Sequence, residues 1–527
     1  MIASHASDVE RIVRDLDLSD DHSRIATSVD SDRMSAFMSR ESQEPNVTQK
    51  QKQKQKHRVI LMILNPTFPY NSMRAISRAI AAVNADTIVH VTDVPEKFRV
   101  PLMHVLGKHC YTFGKYRTGG LHAPLPSRKS NASHASRASH ASRASHQNEQ
   151  KHTTWIFDAR GQGERNAYAD ISRAISCVDI ARNLENEPAN RMTPHLFCVE
   201  ATKLLKRTGA KFKITVLDEA DMAAEGMGLV LSVGQSSSHP PRFMAVELLK
   251  DPSYPTVCLV GKGVTFDAGG LRIKTAPGMI DMKSDKSGAS IVVAILVHLA
   301  KHHPDIKLNL VGLMPMVENV INGKATKPGD IVTAHNGSNV EIMDPDAEGR
   351  LIIADAISFS ARYQPDYVLD FATLTSFATN ICCDLSGVYY TTNEDLSKLV
   401  YDIGEAVGER VWRHPPWPEY HLNTLSPVAD TRNAIFECTR SGSFMASMFI
   451  SNFVQRDVKE RWVHFDISNN EVRGIFTGNG ALLGMQLVKA LAKVGTKLDY
   501  KDKREGTPAI KKKKSKKSGA SKIRKKV

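Results

Sequence analysis

The chain contains no apolar run near the roughly 20 residues that a membrane-spanning helix requires. Its longest candidate, Ser290 to Ala300, is interrupted by His298 and reads as a buried helix. The start of the chain lacks the apolar core of a secretory signal, carrying Asp8, Glu10, Asp15 and Asp17 instead. Cysteine is sparse, seven in 527 residues, with no C-x-x-C spacing. The adjacent Cys382 and Cys383 are poorly placed to bond each other. An odd, dispersed set argues against a disulfide framework and fits free thiols in a reducing compartment, here expected to be the cytoplasm.

Acid is missing from one stretch. Residues 511–527 hold ten Lys/Arg and no Asp or Glu, and residues 49–56 add four lysines. Together these appendages account for the whole formal net charge of +14, so the remaining body is near neutral. A basic enzyme surface suited to nucleic acid is therefore not indicated. A hydrophobic content of 41% with 24% charged residues fits a soluble globular protein, and 527 residues exceed one ordinary core.

The composition changes along the chain. Residues 1–57 are polar, Ser/Asp-rich and end in alternating Gln-Lys, as a disordered leader does. From 58 the pattern is β-α-β-like: a short apolar run at Val59–Leu64, helical spacing at Ser72–Val83, then Thr87–Val91. A small N-terminal α/β domain is expected over 58–170. It is interrupted at 127–146 by repeated Ala-Ser-His and Ala-Ser-Arg triplets, a low-complexity surface insertion with no apolar face. Residues 171–498 read as a larger α/β catalytic domain. Its strand candidates are Lys213–Leu217, Arg242–Glu247, Thr256–Val260, Lys307–Leu313 and Tyr367–Leu369, with helices at Ala169–Leu184, Gly288–His302 and Gly349–Arg362. The alternation predicts a mixed, mostly parallel sheet. Residues 499–527 form a basic tail with no core-forming pattern.

Two segments carry chemistry. In Asp344-Pro345-Asp346-Ala347-Glu348-Gly349-Arg350, two carboxylates and a guanidinium recur at spacing two. On a helix such residues diverge by about 200°, whereas an extended segment lines them along one face. Gly349 lets the backbone approach whatever is bound. The plainer alternative is an exposed charged turn before a helix. The second segment, Val260 to Gly270, follows an apolar strand and holds Lys262 and Asp267 among four glycines. Loops at the carboxyl ends of α/β strands are where sites are built. Neither G-x-G-x-x-G nor the G-K-[ST] ending of a phosphate-binding loop is present. Lys274 and then Met282-Lys283-Ser284-Asp285 follow, just before a helix. Three aspartates and one glutamate thus come from separate loops, an oxygen-rich set suited to a pair of divalent ions and to hydrolysis at a carbonyl. Lys262 can coordinate only as the neutral amine; otherwise it is a salt-bridge partner, and spacing leaves both readings open.

At this point the sequence resembles the leucyl aminopeptidase family of two-metal exopeptidases. The motifs, in order, are Asn186-Glu187-Pro188-Ala189-Asn190 with Thr193-Pro194, Ser232 to Ser236 with Pro240-Pro241-Arg242, and Gly261 to Gly270 with Lys274. Met282 to Asp285, Asn322 to Ala325, Pro328-Gly329-Asp330 and Asp346 to Arg350 follow. Asp370 to Thr375, Trp462 to Asp466 and Thr477-Gly478 close the set. The resemblance runs from about 180 to 490. It implies that Asp267 and Glu348 bridge two divalent ions. Lys262 and Asp285 would complete the tighter site and Asp346 the more exchangeable one. Lys274 would polarise the scissile carbonyl. Arg350 would hold a bicarbonate acting as general base, and Met282 and Thr375 would border the substrate pocket. A bridging water would attack the carbonyl of peptides with a free, leucine-like N-terminal residue. Manganese or zinc is the implied metal, with magnesium or cobalt open, and the implied assembly is a homohexamer. The sequence departs from the family at Asp344-Pro345, Ser376-Phe377 and Ser287; none of these removes a catalytic group.

Two other functions share some of these features. A nucleic-acid-associated scaffold would use the basic tail, but it would be free to lose carboxylates, and none is missing. A two-metal phosphoesterase would ordinarily want histidine ligands, and none falls in these loops. His464, in an apolar strand setting, reads as a packed structural residue, and Met445–Met448 as core. The charge distribution makes one prediction. Truncation near Tyr500 should leave turnover of a leucine amide unchanged and abolish salt-sensitive retention on heparin, because counterion release by the tail carries any polyanion binding. Lost turnover with unchanged heparin retention would instead place the tail in the catalytic structure.

Overall fold

A computed structural model describes residues 96–111, 113–116 and 162–495, apart from 384, 436–441, 469–470 and 473–474, together with the backbone of short strands before residue 158. The expected Ser72–Val83 helix, the insertion at 127–146 and the tail at 499–527 lie outside the described residues, as does the leader apart from a few two-residue strands. Of the expected N-terminal unit, strands Arg58–Val59, Thr87–Val91 and Thr153–Phe157 form a parallel sheet in that order. Within the run expected as one strand at Val59–Leu64, the described residues fall in two pairings: Val59 with Ile88, and Met62–Ile63 with Ile2–Ala3.

The largest sheet is built from nine strands in chain order: β1 (Lys213–Leu217), β2 (Arg242–Leu248), β3 (Thr256–Gly261), β4 (Gly263–Asp267), β5 (Asn309–Asn319), β6 (Tyr367–Ala372), β7 (Gly387–Tyr390), β8 (Val411–Arg413) and β9 (Trp462–Asp466). Across the sheet the order is β1-β2-β5-β3-β6-β9-β7-β8, with β4 pairing β5 beyond the end of β3. The central pairs β5-β3, β3-β6 and β6-β9 are parallel; β1-β2, β2-β5 and β9-β7 are antiparallel. This is the mixed, mostly parallel sheet the alternation of elements predicts.

Period-two alternation sends successive side chains to two cores. Val257 and Leu259 of β3 join one core and Cys258 and Val260 the other. The first core is closed by α1 (Gln162–Asn186), α3 (Ser287–His302) and α6 (Ala481–Val494). The second is closed by α2 (Gly228–Gly234), α4 (Glu348–Ser360) and α5 (Gly442–Ser451). α3 is buried along nearly its whole length, which is why it reads as apolar on every side rather than as an amphipathic stripe.

Several bounds differ from the sequence expectation. β5 continues to Asn319 instead of stopping at 313, and all eleven of its residues are buried. Its Pro315 has no N–H, and it falls where the parallel neighbour changes from β3, whose Val260 faces Leu313, to β4, whose Gly263 faces Met316. α1 runs unbroken through 170–171, so the expected domain boundary there does not coincide with the end of an element.

Candidate metal centre

The site lies beyond the carboxyl ends of the central strands. Lys262 follows β3 directly, and its backbone is held on both sides: its N–H donates to Phe371 O at 3.0 Å, and its carbonyl accepts from Ala289 N at 2.9 Å. Such close approach requires glycine. A Cβ on Gly261 would meet Gly288 O at 2.5 Å, and one on Gly288 would meet Lys262 N at 2.7 Å. Gly349 is needed for a similar reason, since a Cβ there would stand 2.6 Å from Lys262 Nζ. This glycine makes room for a protein side chain, where the sequence suggested room for a ligand.

The Lys262 ammonium donates to Asp285 Oδ1 and Glu348 Oε1, both at 2.8 Å, and to Thr373 O at 2.9 Å. Its three protons are thereby used. Asp267, at the end of β4, accepts on Oδ1 from Gly269 N at 2.8 Å and Asn319 Nδ2 at 2.9 Å. Its Oδ2 lies 2.7 Å from Lys274 Nζ, which also reaches Asp346 Oδ1 at 2.5 Å. One carboxylate oxygen from each of Asp267, Asp285 and Glu348 lies within 4.8 Å of the others. Asp285 Oδ2 and Glu348 Oε2 are buried with no hydrogen-bond partner. Buried carboxylate oxygens are seldom left in that condition. Two of them aimed into one cluster fit divalent-ion ligands.

The electrostatics agree. Burial first, and then the charges of Glu348 and Asp267, push the Asp285 carboxyl up to about 8 against the pull of Lys262. Burial, Asp267 and Glu348 push Asp346 up to about 7 despite Lys274. Four carboxylates face two ammonium groups, and a bound dication would relieve their mutual repulsion. Burial would lower the Lys262 pKa, but Asp285, Glu348 and Asp267 together raise it, so without an ion this residue is the salt-bridging ammonium of the two open readings.

The structure thus gathers Lys262, Asp267, Lys274, Asp285, Asp346 and Glu348. It does not gather them as the spacing argument supposed. Residues 344–347 form a turn closed by Ala347 N to Asp344 O at 3.1 Å, and Glu348 and Arg350 are already in α4. Glu348 and Arg350 therefore diverge. Arg350 is buried with Nη1 donating to Asn433 O at 2.8 Å, while its Nε has no hydrogen-bond partner. Nor is the turn merely an exposed, charged one, because Glu348 is 2% exposed. Asp344, which departs from the family pattern, pairs with Arg272 and accepts Asp346 N at 2.9 Å, so its extra charge is matched locally. Met282 opens the 3-10 turn leading to Asp285 and is partly exposed. Thr375 donates to Asp466 Oδ2 at 2.6 Å. His464 is held inside the protein by Asp370, 2.5 Å from its Nδ1.

Sequence reasoning missed several supports. Asn319 bonds Asp267 and, at 3.1 Å, Pro345 O, joining two of the loops. Asn433 accepts Met343 N at 2.8 Å and donates to Asp344 O at 2.7 Å, bracing the turn. Thr373 Oγ1 donates to Asp285 Oδ1 at 2.7 Å. For Asn319 a signal existed: a lone amide ending an apolar strand. Asn433 carried no local signal, because its partners lie about ninety residues earlier.

Comparison with known proteins follows the same lines. Residues 179–484 match the cytosol aminopeptidase family, catalytic domain. A probable cytosol aminopeptidase of Chlorobium limicola is 36% identical over 322 residues, covering 60% of this chain and 62% of that protein. A cytosol aminopeptidase of Encephalitozoon cuniculi is 37% identical over 326 residues, covering 60% and 66%. The chain thus spans just under two thirds of the length of these relatives. Among solved structures, a leucine aminopeptidase of Caenorhabditis elegans superposes with a TM-score of 0.69 at 25% identity, covering 82% of this chain and 84% of that one. A bottromycin maturation enzyme in complex with manganese superposes with a TM-score of 0.66 at 28% identity, covering 82% and 91%.

The support given by Asn319 can be tested. Asn319→Ala removes the amide that orients Asp267 without touching the carboxylate cluster itself. It should weaken divalent-ion retention about 10- to 100-fold, the usual cost of losing an orienting partner of a metal ligand. Metal titration of the folded variant measures this, and wild-type affinity would refute the role.

Proposed function

We propose that this chain, which belongs to the cytosol aminopeptidase family, is a metal-dependent aminopeptidase that releases N-terminal residues, leucine-like ones preferred, from peptides. The observation that carries this reading is the convergence of Asp267, Asp285 and Glu348, with Asp285 Oδ2 and Glu348 Oε2 left unpartnered. In this reading Lys262, Asp267, Asp285, Asp346 and Glu348 would hold two divalent ions. Manganese or zinc suits the donor set, and magnesium or cobalt is compatible with its oxygens. Such ions supply Lewis-acid polarisation of the scissile carbonyl and a water of lowered pKa.

The remaining roles belong to the chain. Asp285 accepts from the free α-amine of the peptide, which makes the enzyme an exopeptidase. Lys274, held as an ammonium by Asp267 and Asp346, donates to the oxygen on which charge develops. Arg350 keeps an unpartnered, buried Nε, a donor suited to an anion such as bicarbonate acting as general base. Met282 and Thr375 border the substrate.

Lys262 meets a condition in this scheme. It must give up its proton to act as a ligand, which an adjacent dication favours and the carboxylates alone oppose. Cys177, Cys198 and Cys258 are free and buried, in keeping with a reducing, cytoplasmic setting. Among the described residues no helix is long and apolar enough to cross a membrane. Polyanion binding through the tail at 511–527 is a separate, non-catalytic property.

Exhaustive chelation should abolish hydrolysis of a leucine amide, and a divalent ion should restore it. Full activity in metal-free enzyme would sink the proposal. The assembly is proposed as a homohexamer, on family resemblance. Light scattering at micromolar concentration should give about six times the subunit mass, and a fully active monomer would rule the hexamer out.

A further inference from the structure

α3 begins beside the carboxylate cluster and ends at His302, about 24 Å away along its axis for sixteen residues. A second group of ligand-type side chains surrounds that far end. Asp170 comes from α1, His298 from the last turns of α3, and His303 from the residue just after α3. One ligand atom from each lies within 4.8 Å of the others. His298 is 0% exposed, and neither of its ring nitrogens has a hydrogen-bond partner. His303 Nε2 stands 3.0 Å from Asp170 Oδ1, yet both atoms are buried without a hydrogen bond of good geometry. Asp170 and His303 thus pair with each other beside a His298 whose two buried ring nitrogens are both unsatisfied, and all three offer ligand atoms in one place.

We infer that Asp170, His298 and His303 form a second divalent-metal site, of the zinc type, remote from the carboxylate cluster.

The donor chemistry is that of a borderline ion: two imidazole nitrogens and one carboxylate oxygen, with a water to complete a tetrahedron. Metal–ligand bonds of about 2.0–2.1 Å would draw the three atoms to roughly 3.4 Å apart. His303, partly exposed and just past the helix, can make that adjustment. Burial holds the His298 ring neutral, with its lone pair available. The surroundings are arranged as an outer shell. Lys489 on α6 pairs with Asp170 Oδ2 and so orients the carboxylate, leaving Oδ1 turned to the histidines. Arg173 approaches Oδ1 only to 3.7 Å. An ion pair between Asp170 and Lys489 explains those two residues, but it leaves both nitrogens of a fully buried His298 without a purpose. Cys177 and His302 lie on another side of His298 and offer a rival triad. Burial pushes the Cys177 thiol up to about 11, which disfavours the thiolate a metal needs. An ion at the proposed site would fasten α1 to the end of α3.

The test counts zinc in the full chain. Wild type, His303→Gln, Asp170→Asn and Cys177→Ser are reconstituted with zinc, freed of excess ion and analysed by mass spectrometry on the monodisperse fraction. His303→Gln and Asp170→Asn should each hold one equivalent per subunit less than wild type, with leucine-amide turnover retained. Cys177→Ser should match wild type. Cobalt reconstitution gives an independent reading, because visible absorption from the second site should disappear in His303→Gln. Equal metal counts in wild type, His303→Gln and Asp170→Asn overturn the site, and loss in Cys177→Ser alone transfers it to the rival triad. The counts are differences between variants, so they hold whether or not the carboxylate cluster is a peptidase centre.

Discussion

The buried ammonium of Lys262 is the constraint around which the site is assembled. It ties the end of β3 to the turn before α3, the start of α4 and the strand exit after β6, through Asp285, Glu348 and Thr373 O. A charge so deep must be matched, and so must the carboxylates that match it. Moving any one of these loops outward would strand a charge in the interior. The unpartnered oxygens Asp285 Oδ2 and Glu348 Oε2 show that the lysine alone does not complete the balance. Those two oxygens, left over by the same packing, are where further positive charge would be matched.

The sheet makes that packing possible. Three parallel pairings in a row bring the carboxyl ends of β5, β3, β6 and β9 to one edge of the domain, where their loops meet. Helices on both faces exclude water from beneath. α3 and β3 approach so closely that only hydrogen fits between them, at Gly261 and Gly288. α4 is pressed against the Lys262 side chain in the same way at Gly349. The glycines seen in the sequence as marks of a loop are, in the structure, marks of backbone contact between elements.

Much of this was legible beforehand for a physical reason. Strands buried on both faces must be apolar and short, so β2, β3 and β6 stood out between polar loops. A carboxylate in such a loop, as at Asp267 or Asp285, is conspicuous because little else there would tolerate it. What escaped depended on partners distant in the chain. β5 runs past the expected end at 313 through Pro315, which has no N–H, and the exchange of β3 for β4 beside it explains its presence there. The spacing of Asp346, Glu348 and Arg350 suggested one extended face, whereas a turn and a helix start direct the three differently. Asn433 could not be found at all, since an amide is polar anywhere and its bonds reach back about ninety residues.

By itself the sequence determined which side chains could carry chemistry, the α/β class, and the separation of a near-neutral body from its basic ends. Those follow from residue type, periodicity and local charge, which need no knowledge of what lies alongside. Tertiary structure decided what each charge faces. It made Lys262 a three-way donor, turned Arg350 toward Asn433, gave Asp344 its Arg272, and left His298 buried with both nitrogens unbonded. The strength of an electrostatic or hydrogen-bonding group depends on distance and burial, and neither exists until strands far apart in sequence are laid side by side.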